Sequence, residues 1–276
     1  MPELPEVESV VRSLRDGCPS LIGARVRSVN LVWPGVVSST SDCFDEELLE
    51  GCRFASIGRV GKFLLFGLKN SRGRSLCLAV HLRMTGRLFL VPEREAVERH
   101  TRLALMLDDG LALRFDDPRK FGRVWLIDDP SAVTGGMGPD ALAVGFEEFA
   151  SRLTRYRRQI KPLLLDQSFV AGIGNIYADE SLYRAGIHPC TISADLAPDA
   201  VRRLHAAIAT VLSEAVEAQG ANIDGVFKAG SFVVSVYGRE GASCRICGTA
   251  ISKIRVGQRG THFCGHCQNN CSTSTT

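Results

Sequence analysis

Two Cys-x-x-Cys pairs, Cys244/Cys247 and Cys264/Cys267, stand sixteen residues apart near the end of the 276-residue chain. A separation of about 15–20 residues between such pairs is that of a four-cysteine zinc site. Each pair forms a tight knuckle, and four thiolates close a tetrahedron with no position left for a substrate. The spacing therefore predicts one structural Zn2+. Disulfides are the competing reading, but residues 1–15 lack the basic start and apolar centre of a secretory signal, and a reducing cytosol disfavours them. Cys271, His262 and His266 lie near enough in sequence to substitute as ligands, yet only the four named cysteines have the paired spacing. The scattered Cys18, Cys43, Cys52, Cys77 and Cys190 read as small buried side chains.

The other end opens Met1-Pro2-Glu3-Leu4-Pro5-Glu6. Removal of Met1 leaves Pro2 with a free secondary amine beside a carboxyl group. Such an amine attacks an aldehyde carbon to give an iminium, the electron sink that lysine Schiff bases also provide. A terminal amine has a reference pKa of about 8, so a useful fraction is unprotonated at neutral pH. The plain alternative is a helix start, because proline suits a first turn and acids there favour the helix dipole. Taken alone, the six residues favour that alternative.

The net charge is only +3, but it is unevenly spread: residues 151–276 hold fourteen Lys/Arg against nine Asp/Glu, and residues 1–150 hold nineteen against twenty-one. Arg152, Arg155, Arg157, Arg158 and Lys161 form a run without an acid, and the cysteine segment adds Arg245, Lys253, Arg255 and Arg259. A basic face beside a zinc ribbon fits a phosphate backbone, although the first run alone also suits a solvated helix face. Hydrophobic content of 45% without an apolar run of membrane-spanning length predicts a soluble globular protein with no membrane partner.

Val7, Val10, Val11 and Leu14 follow Pro5 at helical spacing, which predicts an amphipathic N-terminal helix. Short apolar stretches at 25–32, 63–68, 76–82, 103–107, 111–115 and 124–127, separated by turn signals such as Asp109-Gly110, predict antiparallel sheets packed as a sandwich. The domain limits that follow are 1–134 for the sandwich domain, 135–145 for a linker, 146–230 for a helical domain, 231–271 for the zinc ribbon and 272–276 for a disordered tail. Within the helical domain, Gly172-Ile173-Gly174-Asn175 is a glycine-broken turn opening a helix over 176–185. Its backbone N–H groups offer a phosphate site, with Asn175 placed to cap or bind there. Gly61-Lys62 places Lys62 at a strand start near a turn rather than in the core. Asp117-Pro118-Arg119-Lys120-Phe121-Gly122 offers a cation and an aromatic ring on one loop. That is either a satellite of the core or a wedge that enters a base stack.

Together these motifs resemble the bacterial formamidopyrimidine-DNA glycosylase family, over nearly the full length and in order: the start over residues 1–8, Gly61-Lys62, residues 81–86, residues 117–122, residues 172–180, residues 237–241, and Gln258-Arg259-Gly260-Thr261. The related endonuclease VIII family usually has glycine where this chain has Leu4. The resemblance implies an α+β protein with an N-terminal helix and β-sandwich, a helix-two-turn-helix domain and a zinc ribbon. It implies a bifunctional DNA glycosylase and abasic-site lyase of base-excision repair, acting on formamidopyrimidines and 8-oxoguanine by a Pro2 Schiff base and β,δ-elimination. Glu3 would protonate the sugar ring oxygen, Lys62 would donate a proton in β-elimination, and Arg259 would bind phosphate and assist δ-elimination. Met84, Arg119 and Phe121 would fill the gap left by the extruded nucleotide, while His81, His100, Arg157, Lys161 and Asn175 would hold backbone phosphates. The implied partner is damaged double-stranded DNA, met by a monomer in the bacterial cytoplasm at the nucleoid. An endonuclease VIII-like enzyme for oxidised pyrimidines and a non-catalytic zinc-ribbon DNA binder are the alternatives. Two departures stand out. His100-Thr101-Arg102 replaces a usual His-Asp-His, and the stretch from Gly220 to Tyr237 is shorter than the family's lesion-capping loop. The second predicts activity on 8-oxoguanine that is present but weaker than on ring-opened lesions.

Overall fold

The computed structural model describes residues 2–38, 44, 46–223, 225 and 229–269. Met1, Cys43, Cys271 and the tail 272–276 lie outside the described residues. The chain divides into two compact units, the first covering residues up to Gly136 and the second most of the remainder.

The first unit opens with α1 (Leu4–Asp16). Glu3 and Glu6 form a capping box, each side chain taking the other's backbone N–H, and Pro5 sits in the first turn where no N–H is needed. The strands are β1 (Val26–Asn30), β2 (Arg53–Val60), β3 (Phe63–Lys69), β4 (Ser75–His81), β5 (Arg87–Pro92), β6 (Thr101–Leu107), β7 (Leu111–Asp116) and β8 (Arg123–Ile127), with short helices α2 (Glu46–Leu49) before β2 and α3 (Ser131–Thr134) after β8. They build two antiparallel four-stranded sheets, ordered β1-β6-β7-β5 and β2-β3-β4-β8. Alternate residues of both sheets meet in one core: Leu64, Phe66, Leu68, Leu78 and Val80 from one, and Leu103, Leu105, Leu107, Leu113 and Phe115 from the other. Val7, Val11 and Leu14 of α1 join them. This is the period-two signature of a sandwich.

Six strands coincide with the predicted apolar stretches, while β2 and β5 are additions. In β2 a bulge between Phe54 and Ser56 leaves the buried Phe54 and Ile57 three apart, which erases the alternation a strand ordinarily shows. In β5 the apolar run of residues 88–91 was there to be read. Cys52 and Cys77 are buried as expected, but Cys18 is exposed and Cys190 half-buried.

The second unit contains α4 (Phe146–Leu153), α5 (Ile160–Leu164), α6 (Asn175–Ala185), α7 (Pro198–Glu217) and the hairpin of β9 (Ile251–Val256) and β10 (Arg259–Cys264). Helix α6 is buried on nearly all sides, against α5, α7 and β10. Its end is a Schellman motif: Gly186 at φ +69° and the next residue donate to Tyr183 O and Leu182 O. Helix α7 ends the same way through Gln219, at φ +56°. Among the described residues the longest helix is α7, and no helix is long and apolar enough to cross a membrane.

Candidate active site and nucleic-acid interface

In the first unit, Pro2 and Glu3 are both buried at the head of α1. The same helix is fastened to the Gly61-Lys62 turn through one arginine. Arg59 Nε donates to Glu8 Oε2 at 2.8 Å and its Nη1 to Gly61 O at 3.3 Å. Val60 pairs with Phe63, so Gly61 and Lys62 are the whole hairpin loop, and Gly61 takes a φ of +54° that suits glycine. Lys62 is indeed at the strand start, but its residue is only 8% exposed, so the turn presents it inward and not to bulk water.

Next to it in the sheet, His81 is paired with Phe63 and meets its ring edge-on at 4.7 Å. The His81 Nδ1 accepts the Arg83 backbone N–H at 3.0 Å, which leaves Nε2 as the donor. Burial, and then the charges of Arg83 and Lys62, push His81 down to about 3. It can therefore hold a phosphate only as a neutral N–H donor.

Two turns present the wedge residues. Met84 is 37% and Phe121 46% exposed, although both are large and apolar. Each follows a non-glycine residue in the left-handed region: Arg83 at φ +57° and Lys120 at φ +59°. Such backbone is uncommon, and its persistence marks turns fixed by their surroundings. The fixing is visible around Asp117, whose carboxylate is fully buried and accepts from Thr85 Oγ1 (2.5 Å), Arg119 N (3.2 Å) and Gly122 N (2.7 Å). The Arg119 guanidinium lies 4.7 Å from the centre of the Phe121 ring, and Lys120 Nζ lies 5.3 Å from that of Trp33. His100 is half-buried beside this loop, its carbonyl accepting from Asp117 N at 2.9 Å.

The second unit corrects one expectation. Lys161 does not lie on an open basic face: its side chain is 0% exposed and its Nζ sits 2.7 Å from Asp179 Oδ1. The same ammonium donates to Gly260 O (3.0 Å) and Thr261 Oγ1 (2.8 Å). Asp179 Oδ2 accepts His262 N at 2.9 Å, and Asn175 Nδ2 donates to Gly260 O at 3.1 Å. A buried ammonium must be paired, and this one is tied to the two residues that follow Arg259. Asn175 is the first residue of α6 rather than its cap, which is Gly174. Arg259 is exposed, and it follows a two-residue turn in which Gly257 and Gln258 both have positive φ, as a type I′ hairpin requires.

Other members of the basic run are committed within the protein. Arg152 donates to Phe169 O and Ser168 O, and Arg158 pairs with Asp166 at 2.8 Å. Arg157 stays largely exposed, 3.7 Å from Asp195. Sequence analysis assigns no role to Asp179 and Glu180, two adjacent acids in a helix that only the structure shows to be buried on nearly all sides. Burial pushes the Glu180 carboxyl up, against the pull of the backbone N–H groups of Tyr237, Val236 and Ser235 that it caps.

The Sγ atoms of Cys244, Cys247, Cys264 and Cys267 all lie within 4.8 Å of one another. Contacts of 3.4 Å (Cys247–Cys264) and 3.9 Å (Cys244–Cys267) bracket the edge of about 3.8 Å that four Zn–S bonds of about 2.3 Å imply. Burial raises the Cys244 thiol, but donors from Tyr183, Cys247 and Ile246 outweigh it and bring it to about 6. The donor set fits one structural zinc. His262 is turned toward Asp179 and the Tyr237 ring, and His266 is exposed. Cys271 lies outside the described residues.

Three family descriptions match the chain in succession: a formamidopyrimidine-DNA glycosylase N-terminal domain over residues 1–124, a formamidopyrimidine-DNA glycosylase H2TH domain over 136–225, and a zinc finger found in FPG and IleRS over 243–270. A formamidopyrimidine-DNA glycosylase of Herpetosiphon aurantiacus is 41% identical over 278 residues, covering 97% of this chain and 100% of that one. One from Chloroflexus aurantiacus is 43% identical, covering 97% and 98%. Among solved structures, a Lactococcus lactis Fpg mutant in complex with a Fapy-dG containing DNA superposes with a TM-score of 0.87 at 34% identity, covering 98% of this chain and 100% of that one. A complex of the Lactococcus lactis enzyme with an abasic site containing DNA gives 0.86 at 32%, with the same coverage.

Proposed function

The chain belongs to the formamidopyrimidine-DNA glycosylase family, a bifunctional DNA glycosylase and abasic-site lyase with one structural zinc, and from that premise we propose which of its residues carry the reaction. Pro2, freed of Met1, attacks C1′ of the damaged nucleotide, and the glycosidic bond breaks as the base leaves with its electron pair. Glu3 protonates the sugar ring oxygen, so the ring opens to an iminium on the Pro2 nitrogen. The iminium draws electrons from the C2′–H bond, and loss of that proton expels the 3′ phosphate. Lys62 donates a proton in this β-elimination, and Arg259 holds phosphate during the δ-elimination that follows. The substrates are formamidopyrimidines and 8-oxoguanine in duplex DNA, and the enzyme works as a monomer in the cytoplasm, at the nucleoid.

The observation that carries this reading is the Glu8–Arg59–Gly61 tie, which fixes the hairpin bearing Lys62 to the helix headed by Pro2 and Glu3. Preorganisation of this kind is worth several kcal/mol where a bimolecular step becomes an intramolecular one. Met84, Arg119 and Phe121 occupy the vacated stack, while His81 and His100 of the first unit and Arg157 and Asn175 of the second contact phosphates. Extruding a base costs a few kcal/mol, and side chains that fill the gap hold it open. Lys161 supports Arg259 from beneath in place of a direct phosphate contact.

Borohydride should reduce the iminium between the protein and an abasic-site duplex to a stable adduct. Pro2→Gly should trap more slowly, and an N-terminus extended by residues that cannot be removed should not trap at all. Undiminished trapping by the blocked protein would move the nucleophile to a lysine, with Lys62 first in line.

A further inference from the structure

Arg102 stands where a strand residue would ordinarily complete an apolar face. It is 7% exposed, inside a β6 that is otherwise almost wholly buried. The register explains how a guanidinium fits there. Thr101 pairs with Asp116 and Leu103 with Phe115, so Arg102 is the extra residue of a β-bulge. A bulge re-aims the side chain it carries. Thr101 anchors the near side of the bulge by donating from Oγ1 to Asp116 Oδ1 at 2.7 Å.

From this position Arg102 reaches two carbonyls on different segments. Its Nε donates to Asp117 O at 2.8 Å and its Nη1 to Arg99 O at 3.4 Å. Asp117 opens the turn that bears Arg119 and Phe121, and Arg99 immediately precedes His100. The Asp117 N–H closes the link by donating to His100 O at 2.9 Å. Asp117 O also receives the N–H of Lys120, the residue in left-handed backbone just before Phe121, at 3.3 Å. The turn is closely filled from inside as well: a Cβ on Gly122 would stand 2.4 Å from Phe115 Cζ. The cation therefore holds the floor of the exposed turn while its own charge is hidden.

We propose that Arg102 is a positioning residue for nucleotide extrusion: it sets the pose of the Phe121 turn and couples that turn to the His100 segment. The proposal rests on the intercalating role assigned to Phe121 above. Arg102 itself is buried, so its effect passes through the turn.

The test follows extrusion by the fluorescence of 2-aminopurine placed beside the lesion in a duplex, in wild type, Arg102→Met, Arg102→Lys, Phe121→Ala and the Arg102→Met/Phe121→Ala double variant. Borohydride trapping of Pro2 on a single-stranded abasic oligonucleotide, which needs no extrusion, runs in parallel. Arg102→Met should slow extrusion on the order of tenfold, the worth of one charge-assisted hydrogen bond, and Phe121→Ala, which removes the wedge itself, should slow it at least as much. The double variant should be no slower than the worse single one, because residues acting through one element are not additive. Arg102→Lys, with a single donor head, should recover part of the rate, and trapping on the single strand should be unchanged by either Arg102 substitution. Multiplying effects in the double variant, or equal losses on duplex and single strand, would overturn the proposal. If Arg102→Met does not fold, Arg102→Lys with and without Phe121→Ala makes the same comparison. Phe121→Ala extruding at the wild-type rate would instead remove the wedge reading on which this rests.

Discussion

His81 shows how far a single side chain can depart from its usual behaviour while keeping its proposed task. The histidine is often taken as a cation when it faces phosphate, but here Nδ1 is an acceptor and the ring stays neutral. The consequence for stability has a definite sign. A folded pKa of about 3 against an ordinary 6.5 means that the unfolded chain binds a proton that the native ring refuses across that interval. The contribution of His81 to stability is thus complete above about pH 6.5 and falls as pH drops toward 3. Histidine-selective NMR should find Nδ1 unprotonated at pH 5, with Nε2–H the sole tautomer, and His81→Gln should flatten the fall in Tm between about pH 7 and 5. A midpoint near 6 for this ring would show that it titrates as an ordinary surface histidine. His188, also pushed down by burial, acts with the same sign, so the variant removes only part of the slope. The Lys161–Asp179 pair makes a related point. Such a pair adds little net stability once desolvation is counted, but removing one partner is costly, so it serves geometry more than energy.

That geometry belongs to the ribbon. The apolar cluster it shares with Tyr183 of α6 is small: Val236, Cys244, Ile251 and Cys264 complete it, two of them proposed ligands. A module of this size takes its folding energy from the metal. Cys264→Ser should lose zinc, melt the β9–β10 hairpin and free Arg259, lowering DNA affinity by about 10- to 100-fold, the worth of a charge-assisted contact. The sandwich unit, with a separate core, should keep its far-ultraviolet signature. Stoichiometric zinc and normal affinity in that variant would refute the ligand set. These elements also show what sequence could supply. Cysteine spacing located the ribbon because metal geometry dictates it, and short apolar runs located β3, β4 and β6. Strand β2 escaped because its bulge breaks the alternation, and Lys161 was misplaced because a charge run cannot reveal that an aspartate eighteen residues on will bury one of its members. Arg102 was visible as a departure from pattern, but its two carbonyl partners are brought together only by the fold.

Lesion choice belongs to the whole molecule, because cleavage chemistry and base recognition are read from different parts of the chain. After α7 the backbone turns out at Gly220 and returns at once: Ser231 N donates to Ala218 O at 2.8 Å and Phe232 N to Gly220 O at 3.0 Å. The neck so closed leaves only residues 221–230 to cover an extruded base, and residues 224 and 226–228 of them lie outside the described residues. Backbone N–H donors above a purine are what would distinguish an oxidised base from a normal one. Each neutral hydrogen bond is worth about 0.5–1.5 kcal/mol, so two or three fewer donors would erase tenfold or more in preference. The loss should fall unequally. A ring-opened formamidopyrimidine has a weaker glycosidic bond, and an abasic site exposes its aldehyde without help, so both should be processed fast. Activity on 8-oxoguanine, whose intact ring depends most on the cap, should be present but at least tenfold slower in single turnover opposite cytosine. Equal rates for 8-oxoguanine and the ring-opened lesion would mean that residues 221–230 close over the base in spite of their number, or that another element supplies the missing donors.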